Sequence, residues 1–320
     1  MGKFIVKRSM VSVVVFFGIT LLVYVLVSLT PGSPAEIMLG GDLSNISPAV
    51  IEATERELGL DKPIIIRYFL WLGQLLRGNM GISYRTGKPV FDAVLSRLGP
   101  TLLLTISSTI VAILIAVPLG VISAYKPYSP WDYVSSGLAF VGTSVPNFFV
   151  ALVLIYVFSV KLGLLPVSGM YDSSSNPTFS SLIRHLICPL IALCLSQLGS
   201  ILRQTRGSML EALHGDYVRT CRAQGMSEWR VVVVHGLRNA MLPILTEIGG
   251  KIPFIIGGAV VTEQIFSWPG LGSLMVTSIN NRDYATIMGI TVFIAVIVLL
   301  GNILLDILYG VVDPRIRHSR

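Results

Sequence analysis

Two ionisable residues sit where an apolar chain should have none. Glu247 and Lys251 are four residues apart inside the apolar run 238–261. The glutamate is N-terminal, the better order for an ion pair along a helix. An ionisable group within a membrane span costs roughly 2.5–3.5 kcal/mol on insertion scales, so it faces protein or water rather than lipid. Two roles are open. In a translocation path, Lys251 would meet a carboxylate and Glu247 an ammonium. In the plainer reading, the two neutralise each other against neighbouring helices. Asn302 and Asp306 repeat the four-residue spacing in the last apolar run, where packing and hydrogen bonding explain them. Arg184 and His185 open the fourth run and His214 closes it. No His, Cys, Asp or Glu cluster has metal-ligand spacing. No Ser-His-Asp or paired-carboxylate arrangement argues for catalysis. Cys188, Cys194 and Cys221 include no CxxC pair and read as small hydrophobes. Nor is there a phosphate cradle: Gly2-Lys3, Gly87-Lys88 and Gly250-Lys251 lack the Ser or Thr of a P-loop. Energy for uphill work would have to come from a partner or an ion gradient.

The elements that carry these residues follow from composition. Of 320 residues, 53% are hydrophobic and only 13% charged, about half the charge of a soluble domain. The solvent is lipid. The formal charge of +7 is grouped at the ends of apolar runs, as membrane topology requires, which argues against nucleic acid. Six runs are long enough to span, at roughly 9–30, 100–125, 132–161, 186–212, 238–261 and 284–310. The first lacks a small-x-small cleavage site and reads as a retained span, not a signal peptide. Lys3, Lys7, Arg8, Lys126, Arg203, Arg206, Arg219, Arg222, Arg230, Arg238, Arg315, Arg317 and Arg320 fall on one side; only Lys161, Arg184 and Arg282 fall in short loops of the other. The positive-inside rule makes the first side cytoplasmic, with both termini there.

The stretch 31–99 is then external, with equal numbers of basic and acidic residues. Ser47 is placed to cap a helix that starts with Pro48 and ends at Gly59. Asp61 and Pro63 introduce a second helix up to Gly78, with Ile65, Tyr68, Phe69, Leu72, Leu75 and Leu76 on its apolar side. Phe266 to Gly272 reads as a re-entering or surface turn outside, with Phe266 and Trp268 as interfacial anchors; a gate contact with an external partner is the sharper alternative.

Between the fourth and fifth runs lies a polar, arginine-rich insert, 213–237. Asp216 is positioned as N-cap, Tyr217 to Gln224 contains no helix breaker, and Gly225 fits a left-handed C-terminal position. Arg219 and Arg222 lie in the later turns, where the helix dipole favours cations. Ser227 then caps a second helix, with Glu228 in its first turn. Helix, glycine, helix makes a short rigid knob. Charge alone would equally explain a loop resting on lipid headgroups; the doubled capping and the glycine favour the knob.

The segment Tyr217-Val218-Arg219-Thr220-Cys221-Arg222-Ala223-Gln224-Gly225, with His235-Gly236-Leu237-Arg238-Asn239-Ala240 and Leu242-Pro243 after it, resembles the EAA motif of ABC importer permeases. It is similar to the variant in the B-type subunits of dipeptide, oligopeptide and nickel permeases. Pro31-Gly32-Ser33-Pro34, Leu58-Gly59-Leu60-Asp61-Lys62-Pro63, Gly81-Ile82-Ser83, Phe266-Ser267-Trp268-Pro269-Gly270-Leu271-Gly272, Arg282-Asp283-Tyr284 and Asp313-Pro314-Arg315 extend the resemblance over nearly all of the chain. Two positions depart from it. Cys221 replaces the usual alanine, and Asn79-Met80 replaces Asp-Phe, which puts any external contact made by that acid in doubt.

The resemblance implies an all-α membrane protein with six transmembrane helices, the type I ABC importer permease fold in a single domain 1–320, and a partly helical external loop after the first helix. It implies a coupling helix that docks on a cytoplasmic ATPase through Asp216, Tyr217, Arg219, Thr220, Arg222, Ala223 and Gly225. The partners implied are a second, related permease, two ATPase domains and an external substrate-binding protein. ATP and Mg would be bound by those partners, with no cofactor on this chain. The substrate would be a dipeptide, an oligopeptide or a similar small solute such as glutathione or a nickel chelate. Two rivals remain: an ion-gradient-driven secondary transporter using Glu247, Glu263 and Asp306, and a scaffold that transports nothing.

Overall fold

Apolar runs without breakers become helices, and the breakers decide where these end. The computed structural model describes residues 2–30, 35, 47–57, 59, 61–173, 176–257 and 259–312. Pro31-Gly32-Ser33-Pro34, Leu58, Leu60, the side chains of Lys3, Lys7 and Asp306, and Asp313-Pro314-Arg315 with Arg317 and Arg320 lie outside the described residues. In chain order the helices are α1 (Gly2–Ser28), α2 (Pro48–Glu57), α3 (Ile64–Leu76), α4 (Val90–Tyr125), α5 (Pro130–Ser144), α6 (Asn147–Leu154), α7 (Phe179–Leu213), α8 (Asp216–Ala223), α9 (Leu237–Gly249), α10 (Ile252–Gly257), α11 (Val260–Ile265), α12 (Leu271–Asn280) and α13 (Tyr284–Val312). Two stretches of wider π geometry, Ile155–Lys161 and Arg230–Gly236, extend α6 and lead into α9. Among the described residues the only β pairing is the isolated bridge Ile82–Pro89.

Five helices are long and apolar enough to cross a bilayer, and α5 with α6 makes a sixth span bent by 105°. The sequence predicted that third span as one apolar run, 132–161, with Pro146 inside it. Pro146 breaks it, because a proline pushes the residue before it out of helical geometry: Val145 is extended, at φ −87° and ψ 124°. The second span begins at Val90 rather than near residue 100, since Pro100 is accommodated within α4. The fifth is interrupted twice, after Gly249 and after Gly257. Pro253 withdraws the amide that the Gly249 carbonyl would accept from, which helps to end α9 there.

The chain forms two compact units. Among the described residues, one comprises those of 100–269 with 304–312; the other comprises those of 2–99 with 270–303. In the first, α4 and α7 run parallel and build a core in three layers. Leu104, Leu186, Leu193, Ala259 and Trp268 form the layer farthest from α8. Ala112, Ala116, Ala139, Cys194, Leu198, Ile201 and Leu202 fill the middle. Ala124, Met209, Val232, Ala240 and Ile244 close the layer beneath α8. Alanines and glycines let the helices approach closely, the usual device where lipid supplies no hydrophobic drive between helices. A Cβ at Gly199 would lie 2.7 Å from the Ala139 carbonyl oxygen, so α5 and α7 touch backbone to backbone.

In the second unit, Tyr68 of α3 hydrogen-bonds Thr20 of α1 at 3.0 Å; Tyr24 and Tyr68 meet edge to face, and Trp71 lies tilted against both. Of the expected apolar side of α3, only Tyr68 and Leu72 are buried; Ile65, Phe69 and Leu76 are exposed. Pro63, at the N-cap, offers no side-chain cap. Gly59 and Gly78 adopt φ of +65° and +84°, as helix ends require. The Asp283 carboxylate accepts from the hydroxyls of Ser83 and Thr286 and from the Tyr84 amide. This fastens the 81–90 hairpin to the start of α13. Burial first, then the charge of Asp283, push the Tyr84 phenol up to about 12.

Candidate functional site

The predicted knob is present. α8 has Asp216 in its first turn and Gly225 at φ +75° just beyond its end. Asp216 is not the cap, however. Gly215 takes that position and makes no side-chain cap bond. A Cβ there would collide with the Tyr217 ring at 2.5 Å, so the close packing of Tyr217 takes the place a capping side chain would occupy. The Tyr217 hydroxyl donates to the Ala212 carbonyl at 2.7 Å, and burial raises its pKa, opposed by a hydrogen bond with Asn239. Val218 is fully buried, whereas Asp216, Tyr217, Arg219, Thr220, Arg222, Ala223 and Gly225 are exposed. Arg222 reaches across the turn to Glu228 with two bonds, at 2.9 and 3.3 Å. Arg219 lies 3.6 Å from Asp216 on the open surface. Val218 and the Tyr217 hydroxyl root the helix, and the remaining face is open to a partner.

Beneath the knob the structure reveals a strut that sequence reasoning missed. Asp132, in the first turn of α5, is buried. It accepts from Arg206 of α7 at 2.7 and 2.9 Å, in the bidentate manner that guanidinium and carboxylate favour. It also takes the Ser123 hydroxyl from the last turn of α4 and the Tyr128 amide. One carboxylate thus joins three helices at the end that carries α8. The sequence signal was available: Ser129-Pro130 starts a helix, which puts Asp132 in the first turn of a span. Arg206 was read only as a topology charge.

Glu247 and Lys251 do pair, at 2.9 Å, both mostly buried. They straddle the end of α9. Glu247 is in the last turn and Lys251 follows the Gly250 cap, so the ammonium sits at the negative end of the helix. The Arg203 charge also acts on Glu247, while the nearby Ser200 hydroxyl donates to the Gln197 carbonyl at 3.1 Å. Glu247 lines a cleft of about 290 Å³ with Gln204, Leu242, Pro243 and Thr246. A second cleft, of about 410 Å³, lies between α5 and α7 against Ser136, Phe140, Thr143, Arg203 and Arg206.

At the opposite end of this unit, Glu263 is fully buried and accepts from Thr101 at 2.7 Å. Phe266 and Trp268 are not interfacial anchors. Both are buried, and the indole N–H donates to the Pro100 carbonyl at 2.9 Å. A tryptophan whose N–H has a carbonyl within reach has no need of the water interface. Among the described residues no group of His, Cys, Asp and Glu is arranged to hold a metal, and Cys188, Cys194 and Cys221 are free thiols.

Residues 116–318 match the model of the binding-protein-dependent transport system inner membrane component, and residues 1–105 match its N-terminal companion. The chain is 44% identical over 319 residues to the oligopeptide transport system permease protein AppB of Bacillus subtilis, covering 99% of this chain and all of that one. It is 39% identical over 341 residues to the dipeptide transport system permease protein DppB of Escherichia coli K12, covering the whole of both. Among solved structures, an amino acid ABC transporter with histidines superposes with a TM-score of 0.54 at 18% identity, over 68% of this chain and 94% of that one. The MetNI methionine ABC transporter in an inward-facing form gives 0.52 at 14% identity, over 70% and 97%.

Proposed function

The chain belongs to the family of binding-protein-dependent transport system inner membrane components, and from that premise we propose that it is the permease subunit of an ATP-driven importer of dipeptides or oligopeptides. It is a multi-pass inner-membrane protein and a non-catalytic subunit: permeases of this family work with an ATPase and a substrate-binding protein. The observation that carries the peptide reading is full-length identity to AppB and DppB, at 44% and 39%. A second, related permease completes the pair, two ATPase domains hold ATP and Mg on the cytoplasmic side, and the binding protein delivers solute from outside. Both termini of the chain are cytoplasmic, which the distribution of Lys and Arg supports.

The coupling helix is α8. Its exposed residues Asp216, Tyr217, Arg219, Thr220, Arg222 and Ala223, with Gly225 at the turn, seat in a groove of the ATPase. Closure of the ATPases on nucleotide moves α8, and the strut through Asp132 and Arg206 makes α4, α5 and α7 move with it. Glu247 and Lys251 line the translocation path, a reading supported by the cleft beside them and by the break in the span at Gly250. Irregular backbone at membrane depth is tolerated only where it is buried in protein or lines a water-filled cavity.

The test is to isolate the transporter through a tag on this chain, identify its subunits by mass, and reconstitute it in vesicles with its binding protein. ATP-dependent uptake of labelled dialanine is expected, lost when Arg219, Arg222 and Gly225 are changed together. Uptake by the isolated chain without nucleotide would refute the reading.

A further inference from the structure

Arg203 and Arg206 stand three residues apart on α7, and among the described residues only Arg206 meets a counter-ion. Arg206 is held in two bonds by Asp132. Arg203 is exposed, and no described carboxylate forms an ion pair with it. Its charge acts on Glu247, which Lys251 already holds at 2.9 Å. One carboxylate is therefore shared by two cations, and one positive charge is left over. An exposed arginine in an apolar helix does not face hydrocarbon. The surroundings supply the alternative: Arg203 lines the 410 Å³ cleft beside the hydroxyl-bearing Ser136 and Thr143. Its neighbour Gln204 lines the 290 Å³ cleft with Thr246 and Glu247. Both clefts are polar in part, and the smaller one lies beside the interrupted end of α9.

An arginine remains charged at any physiological pH, and its fork of donors matches a carboxylate. We propose that Arg203 receives the carboxylate of the passing solute in the cleft between α5 and α7, which for a peptide is its C-terminal group. This rests on the peptide-importer reading. It also revises the dual role drawn from the sequence, in which Glu247 takes the ammonium end. Glu247 is occupied by Lys251, so among the described residues the site has a spare cation and no spare anion. The passage admits zwitterionic and anionic peptides and disfavours those with extra positive charge. The same fork also fits a phospholipid phosphate, and lipid composition separates the two sources.

The experiment uses the complete transporter with its binding protein at saturation, in vesicles of phosphatidylcholine alone and with added phosphatidylglycerol. Dialanine uptake and ATP hydrolysis are measured for the wild type, R203K and R203Q. R203Q is expected to slow uptake about tenfold, the scale of one hydrogen bond to a charged group. ATP hydrolysis without peptide should stay unchanged, R203K should restore most of the uptake, and the result should be the same in both lipids. Uptake by R203Q within twofold of wild type overturns the proposal. So does a loss that R203K does not relieve, or one confined to phosphatidylglycerol vesicles, which marks a lipid contact. If R203Q does not assemble, S136D decides: it places a carboxylate in the same cleft with Arg203 intact and must slow uptake equally. Unaltered uptake in S136D also overturns the proposal. A wild-type transporter that hydrolyses ATP but moves no dialanine refutes the peptide reading instead.

Discussion

The Asp132–Arg206 pair and the Glu247–Lys251 pair both place ions within apolar helices, and they are built in opposite ways. The first joins residues 74 positions apart and gathers a hydroxyl and a backbone amide around one carboxylate. It fixes three helices with respect to one another. The second joins neighbours four residues apart on one strand of chain and can fix nothing but the end of its own helix. It also keeps company with clefts and with an uncompensated arginine. Charge in a span is thus not one signal. A saturated carboxylate between helices is a joint, and an undersaturated cluster beside a helix break is where the proposed path places solute.

The contrast breaks most sharply if the joint is removed. D132A strands the mostly buried Arg206 without its counter-ion. Breaking a buried pair by deleting one partner costs about 3–5 kcal/mol. Thermal unfolding in detergent, followed by size-exclusion of the heated sample, should show the largest fall of any change considered, with loss of the attached ATPase. If D132A kept its midpoint, the strut would be no strut. The seam itself comes next. G199V drives side-chain carbons into the Ala139 carbonyl and the Thr143 amide, 2.7 and 3.1 Å from the first carbon alone. Overpacking of this kind costs about 1–3 kcal/mol. The same measurement should place it below D132A, and an equal or larger loss would mean that backbone contact, not the ion pair, holds α5 to α7.

For the other pair, the joint-versus-surface distinction predicts a sign rather than a size. E247L alone leaves Lys251 and Arg203 together without a carboxylate, and should destabilise by about 1–3 kcal/mol, the penalty of an unsatisfied charged group. E247L/K251L removes both charges and should return to within about 1 kcal/mol of wild type, because a paired ion is often replaceable by apolar groups of similar volume. A double variant less stable than the single one would make this pair structural as well.

The sequence could distinguish neither pair. Periodicity identifies which runs are helical, and it located the spans here because lipid demands long apolar segments. It also found the knob, since Gly225 and the polar interval 216–224 are local signals. What it could not supply is which charges meet. Asp132 and Arg206 look like two unremarkable ends of spans until α5 and α7 are brought together by Gly142 and Gly199. The bend at Pro146 and the interruption at Gly250 were visible as residues but not as breaks, because a proline or glycine in a span is tolerated wherever neighbouring groups re-satisfy the backbone. Phe266 and Trp268 were misread for the same reason: an aromatic near a span end is an anchor only if no tertiary partner claims it.

The smallest expected effect lies at the surface. Arg222 and Glu228 form a doubly bonded pair across the Gly225 turn, with side chains 42% and 46% exposed. Exposed pairs contribute about 0–1 kcal/mol, so R222A should leave the unfolding midpoint nearly where it is. Its consequence belongs to the docking reading. The arginine braces α8 against the following turn, and without it a push on the helix tip is partly lost in bending the loop. R222A should therefore bind less ATPase in co-purification and lower uptake per ATP hydrolysed, with stability unchanged. E228A removes the same brace without touching the docking face. Matching losses in the two variants would assign the effect to stiffness. A loss in R222A alone would assign it to a direct contact between Arg222 and the ATPase. No loss in either would leave α8 rooted by Val218 and Tyr217 alone, and the knob would be rigid for reasons that lie below the turn.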